Sequence, residues 1–124
     1  MAVLQDKFIE NLKFNSSGLI PAIAQSESTG EILMLAWMNE ESIKESLKTG
    51  FVHYYSRSRK ALWKKGGTSG NTQKLQKFRY DCDADCILLT VQQEGPACHT
   101  GRPNCFFNEV DLTTGDVTVI SKPM

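Results

Sequence analysis

Nothing in this 124-residue chain approaches the ~20 consecutive apolar residues that a membrane-spanning helix requires, which argues against a membrane protein. The N-terminal stretch from Met1 to Lys7, with Asp6 inside it and Glu10 just beyond, has neither an apolar signal core nor a small-residue cleavage site. Secretion is therefore not expected, and a cytosolic (cytoplasmic) address is. There is no internal repeat, no low-complexity tract and no linker, so a single domain covering residues 1–124 is expected, large enough to fold without disulfides. Net charge is also missing, since fourteen basic residues balance fourteen acidic ones. Its distribution is uneven: residues 51 to 80 contain no Asp or Glu but hold Arg57, Arg59, Lys60, Lys64, Lys65, Lys74, Lys77 and Arg79. Such a block focuses potential and suits an anionic ligand; a solvated basic hairpin is the plainer alternative.

Hydrophobic periodicity predicts an α+β fold, a strand-rich and mostly antiparallel core carrying one or two helices. Leu4, Phe8, Ile9 and Leu12 have helical spacing. Leu19 to Gln25 reads as a strand interrupted by Pro21, and Glu31 to Trp37 as a buried strand. Asn39 is placed to cap a helix over residues 40–49, with Glu40 and Glu41 in its first turn and Gly50 as its stop. Further strands are expected at Phe51–Tyr55, Ala61–Lys64, Leu75–Tyr80, Ile87–Gln92, Phe106–Leu112 and Val117–Ile120.

Several familiar chemical signatures are absent. The glycines of Lys64-Lys65-Gly66-Gly67-Thr68-Ser69-Gly70 follow the lysines, so the order of a P-loop is missing and a nucleotide triphosphatase is disfavoured. The cysteines lack the paired C-x₂-C of a zinc ribbon, and the H-x-E plus P-C-x-x-C signature of zinc deaminases is not found. What is present is four cysteines, Cys82, Cys86, Cys98 and Cys105, within a short stretch, which in a cytosolic protein favours metal binding or catalysis over disulfides. Gly95 to Cys105 is an irregular Gly/Pro-shaped segment able to curl the thiols of Cys98 and Cys105 toward one ion ~2.3 Å from each.

Cys82 and Cys86 lie in Asp81-Cys82-Asp83-Ala84-Asp85-Cys86. If extended, this segment turns the three carboxylates to one face, ~7 Å between alternate residues, too far for all to touch one ion without a bend or bridging waters. A hard divalent cation such as magnesium is one way to neutralise them; pairing with Lys77 or Arg79 across a hairpin is the other. An EF-hand is excluded, because its glycine and final glutamate positions hold Cys86 and Gln92. Only two histidines exist. His53 alternates within a strand and reads as a packed or surface residue rather than a ligand; His99 follows Cys98 in the loop and is the candidate general base or further metal ligand. The glycine turn with Thr68, Ser69 and nearby Lys or Arg is either a phosphate cradle or an ordinary hairpin turn.

Four ordered motifs, Y-S-R-S-R at 55–59, L-W-K-K-G-G-T-S-G-N-T-Q at 62–73, D-C-D-A-D at 81–85 and G-P-A-C-H-T-G-R-P-N-C-F at 95–106, together resemble the phosphoribosyl-AMP cyclohydrolase family over roughly residues 30–110. The resemblance implies a homodimer with active sites at the subunit interface. It implies zinc bound by Cys98 and Cys105 with Cys82 from the partner chain, magnesium at Asp81, Asp83 and Asp85, and a catalytic His99. The family often carries Glu or another residue where Gly67 stands, and Cys86 is outside its usual ligand set. Some relatives carry a fused pyrophosphohydrolase domain, for which this chain is expected to be too short.

The implied reaction is hydrolytic opening of the adenine ring of 1-(5-phosphoribosyl)-AMP at the N1–C6 bond by zinc-activated water, a step in histidine biosynthesis. The two substrate phosphates account for the basic segment: Arg57, Arg59, Lys65, Thr68 and Ser69 are the expected phosphate ligands, and Trp63 the expected stacking partner of the purine. The implied partners are this small nucleotide and a second copy of the chain, without nucleic acid or membrane. The alternative is a zinc-stabilised nucleic-acid-binding module with basic strands and stacking aromatics. The aspartate row, which repels a phosphate backbone, counts against it.

Overall fold

The computed structural model describes residues 7–124. Of the first expected helix, Leu4 lies outside the described residues. The remainder is a short 3₁₀ turn, Lys7–Asn11, that buries Ile9 and sets the Phe8 ring 4.9 Å from that of Phe78.

The main sheet contains β1 (Ile20–Ser26), β2 (Ile32–Met38), β5 (Gln73–Tyr80) and β6 (Ile87–Gln93) in the order β2-β1-β6-β5. All neighbours are antiparallel except β1 and β6. Alternate residues of β1 face the core, so Ile20, Ala22 and Ala24 are fully buried beside Ile87, Leu89 and Val91 of β6. β1 is an inner strand, where proline normally removes a ladder hydrogen bond. Pro21 is tolerated because it pairs only with Trp37 of β2; pairing with β6 begins one residue later, at Ala22 opposite Ile87.

Between β2 and β3 (His53–Ser56) runs α1 (Glu40–Thr49). Its start is fixed reciprocally: Ser42 donates its N–H to Asn39 Oδ1 at 2.8 Å, and Asn39 donates its N–H to Ser42 Oγ at 2.9 Å. Gly50, at φ +82°, closes the other end by donating to the Ser46 carbonyl. Ile43 is fully buried on the inner face. The buried hydroxyl of Ser46 accepts the N–H of His53 at 2.8 Å, locking the helix to β3.

β3 pairs with β4 (Ala61–Lys64) in a separate ribbon. A buried polar chain joins this ribbon to the main sheet: Tyr54 donates to Gln73 Oε1 at 2.6 Å, and Gln73 Nε2 donates to Gln93 Oε1 at 2.9 Å. A second ribbon, β7 (Asn108–Val110) with β8 (Val117–Val119), is shorter than the strands expected there. Phe107 is held instead beneath the guanidinium of Arg102, 4.2 Å from its ring centroid. No helix among the described residues is long and apolar enough to cross a membrane.

Two glycines of the turn after β4 separate conformation from crowding. Gly66 (φ +77°) has backbone atoms of Asn71 and Thr72 only 2.3–2.5 Å from where a Cβ would stand, whereas Gly70 (φ +83°) has open space there. Gly70→Ala is expected to cost about 1–2 kcal/mol, the price of a left-handed L-residue. Gly66→Ala adds about 1–3 kcal/mol of overpacking. Chemical denaturation of the two variants checks the difference; equal losses would contradict the crowding at Gly66.

Candidate active-site cleft

Two irregular segments form the site. In the first, β4 runs into a tight turn because Lys65 donates its N–H to the Val52 carbonyl, Gly67 to that of Lys64 and Gly70 to that of Gly66. In the second, residues 95–105 fold back on themselves: Ala97 N–H donates to the Pro103 carbonyl, Cys98 N–H to that of Arg102 and Gly101 N–H to that of Cys98. Glu94 N–H, donated to the Thr72 carbonyl at 2.9 Å, holds the segments together. Between them opens a cleft of about 470 Å³, with Arg59, Trp63, Lys65, Thr68 and Ser69 on one wall and Cys98 and His99 on the other. Its volume falls in the range usual for small-molecule sites.

The looped backbone brings Cys98 and Cys105 close enough to perturb each other's ionisation although they are seven positions apart. Burial pushes the Cys105 thiol up to about 11, and the neighbouring Cys98 adds to the rise. Burial also opposes ionisation of Cys98, but hydrogen bonds from the Thr100 side chain and backbone and from Cys105, with the charge of Lys65, outweigh it and hold this thiol below its ordinary value. Lys65 itself is half-buried. Its ammonium donates to the Ala97 carbonyl and stands 5.8 Å from the Trp63 ring centroid. Burial lowers its pKa and the two thiols partly restore it. Two adjacent sulfurs with hydrogen-bond donors and a cation behind them could hold a thiophilic ion.

The Asp81–Cys86 segment corrects the extended geometry considered from its sequence. Asp81 N–H donates to the Cys86 carbonyl, Ala84 N–H to the Asp81 carbonyl and Asp85 N–H to Asp81 Oδ1, so the chain turns, with Ala84 at φ +59°. One carboxylate oxygen from each of Asp81, Asp83 and Asp85 consequently lies within 4.8 Å of the others, on an exposed surface. The ~7 Å spacing of a strand no longer applies, and this trio could hold a hard cation directly. A hydrogen bond to Asp81 raises the Asp85 carboxyl, as do its desolvation and the charges of Asp81 and Asp83. Desolvation of Asp81 is outweighed by hydrogen bonds from Asp85 and from the backbone, so Asp81 is held below the usual carboxylate value. Arg79 turns away to Thr90 Oγ1 at 3.3 Å.

Of the residues singled out in the sequence, Arg59, Trp63, Lys65, Thr68, Ser69, Cys98 and His99 meet in the cleft. Cys105 stands behind Cys98, half-buried. Arg57 lies outside the lining, its guanidinium stacked 4.8 Å from the Trp37 ring centroid. Cys82 is exposed, and within one chain it does not gather with Cys98 and Cys105; among the described residues the aspartates are the only such cluster of three. Cys86 is partly buried, its thiol pushed up by burial and by Asp81 and Asp85. His53 is buried with Nδ1 2.8 Å from the Phe51 carbonyl, as a packing residue should be. The sequence reading passed over Thr100, whose hydroxyl donates to Cys98 Sγ at 3.1 Å. Its signal was a hydroxyl two residues past a cysteine in a glycine-closed turn.

A family model described as phosphoribosyl-AMP cyclohydrolase matches residues 34–107, which include both walls of the cleft and the aspartate turn. Among curated proteins, the phosphoribosyl-AMP cyclohydrolase of Rhodospirillum centenum is 62% identical over 109 residues, covering 88% of this chain and 81% of that protein. The protein of the same name from Halorhodospira halophila is 54% identical, covering 93% of this chain and 79% of the relative. That of Cereibacter sphaeroides is 53% identical, covering 92% and 94%. With four ordered motifs, a match across the whole cleft and identities of this size, the chain belongs to the phosphoribosyl-AMP cyclohydrolase family.

Proposed function

We propose that this chain opens the adenine ring of 1-(5-phosphoribosyl)-AMP by hydrolysis of the N1–C6 bond, a step in histidine biosynthesis, in a zinc- and magnesium-dependent site shared by two copies. The observation that carries the reading is the cleft, in which a thiol and an imidazole on one wall face cations and hydroxyls on the other, all within the family-matched segment.

Attachment of phosphoribose to N1 makes the adenine ring cationic, so C6 accepts a nucleophile. Water at neutral pH is too weak; zinc, held by Cys98, Cys105 and the Cys82 of a second copy, would supply the Lewis acidity that lowers the pKa of water. Three thiolates around a dication leave a formal charge of −1, which blunts that acidity relative to a neutral ligand set. A base is therefore needed, and His99, which lines the cleft next to Cys98, takes that role in this reading. Its imidazole removes the proton from the attacking water and is the group available to return it to N1 as the ring opens. Arg59, Lys65, Thr68 and Ser69 bind the two phosphates from the cleft wall, Arg57 joins them only by leaving its place on Trp37, and Trp63 stacks on the purine. Lys65, next to the thiols, also offsets part of their negative charge. Asp81, Asp83 and Asp85, whose carboxylates converge, would hold magnesium, which would neutralise their mutual repulsion.

The direct test is ultraviolet monitoring of the substrate with purified protein, before and after treatment with a zinc chelator. Ring opening that stops with the chelator and returns with added zinc is expected. No ring opening by the metal-replete protein, together with a gel shift on single-stranded nucleic acid, would favour the binding-module alternative. In the same assay His99→Ala should lower kcat by ~10²–10⁴-fold with zinc still bound, the usual contribution of a positioned acid or base. Full turnover in that variant would remove His99 from the mechanism.

A further inference from the structure

The zinc reading names sulfur ligands but leaves open what holds the sulfurs in place, and Thr100 bears on that question. Gly101 donates its N–H to the Cys98 carbonyl at 2.9 Å, closing a turn that carries Thr100 back over the cysteine it follows. Both the hydroxyl and the backbone N–H of Thr100 are then aimed at the Cys98 sulfur, the hydroxyl at 3.1 Å. Cys98 is only 5% exposed, so water has little access to replace a lost donor. A further cation stands close by: Lys65 donates to the carbonyl of Ala97, the residue immediately before Cys98. A sulfur that remains anionic in such a place needs donors to spread its charge, and hydrogen bonds to ionised acceptors are about twice as strong as neutral ones.

We propose that Thr100 is a positioning residue of the metal centre, its hydroxyl a fixed hydrogen-bond donor to the Cys98 thiolate that orients the sulfur and withdraws electron density from it. This deepens the zinc reading and rests on it. The hydroxyl touches Cys98 and Thr100 is not among the cleft-lining residues, so its removal acts first on the metal ligand. Partners of metal ligands typically contribute ~10–100-fold in metal affinity. The backbone N–H persists in every variant, which places the expected loss at the low end of that range, about tenfold.

Cobalt(II), which takes up tetrahedral thiolate sites and is coloured in them, provides a readout independent of turnover. Wild type, Thr100→Val and Thr100→Ser in the full chain are titrated with cobalt(II), and affinity is measured by chelator competition. The valine variant keeps the shape and loses the hydroxyl. It should bind about tenfold more weakly, with its sulfur-to-cobalt charge-transfer band moved to longer wavelength because the sulfur electrons are less stabilised. The serine variant should restore both affinity and band position. An unchanged band and affinity in Thr100→Val would overturn the inference while leaving the zinc reading intact. So would a Thr100→Ser variant as impaired as the valine one, which would assign the effect to packing of the methyl group. Absence of any charge-transfer band in the wild type would overturn the zinc reading itself, and this inference with it.

Discussion

Two neighbouring thiols, one buried and one half-buried, resist joint ionisation unless a positive charge joins them, and this constraint organises the cleft. Cys98 is kept acidic by the donors around it, whereas Cys105 is pushed up to about 11 by burial and by Cys98. The pair thus retains a proton that a bound cation would displace, as metal binding to thiols generally requires. Lys65 supplies one charge nearby at the cost of its own desolvation. The rest of the loop holds the sulfurs in register: backbone bonds from Ala97 to Pro103 and from Cys98 to Arg102 form its neck, and Cys105 N–H donates to the Leu33 carbonyl of β2 at 2.8 Å, anchoring the loop to the main sheet.

That anchoring explains why so much of a small fold is spent on joining sheets. The glycine-rich wall extends from the β3–β4 ribbon and the cysteine wall is tied to the main sheet, so the cleft keeps its width only if ribbon and sheet do not shift. The buried chain from Tyr54 through Gln73 to Gln93 supplies this rigidity with directional bonds, and burial pushes the Tyr54 phenol far above its ordinary value, so that it remains a donor. Trp63, 5.3 Å from the Tyr54 ring, carries the same support to the cleft surface.

Local chemistry was the part most legible in the sequence. Asn39 and Gly50 announced the helix limits because capping depends only on nearby residues, and the helix runs as expected from Glu40 to Thr49. β1 and β6 were also legible, as short apolar runs bounded by turn residues, and in β1 the buried residues recur at every second position. The aspartate segment misled because alternating residues mimic a strand, whereas the side chain of Asp81 bonds the backbone of Asp85 and bends the chain. The parallel pairing of β1 with β6 joins strands some sixty residues apart, which no local pattern announces. In the site, residue types marked out most of the side chains that meet in the cleft, but the position of Arg57 on Trp37 and the reach of Thr100 to Cys98 depend on tertiary geometry. Family membership came from the order of the four motifs, which no motif carried alone.

The separation of Cys82 from the other two thiols gives the account its sharpest exposure to test. If a centre of three sulfurs is assembled from two copies, zinc-edge X-ray absorption of the purified protein should report three sulfur scatterers at ~2.3 Å, falling to two in Cys82→Ser. A first shell of oxygen and nitrogen atoms, or a sulfur count unaffected by loss of Cys82, would contradict it.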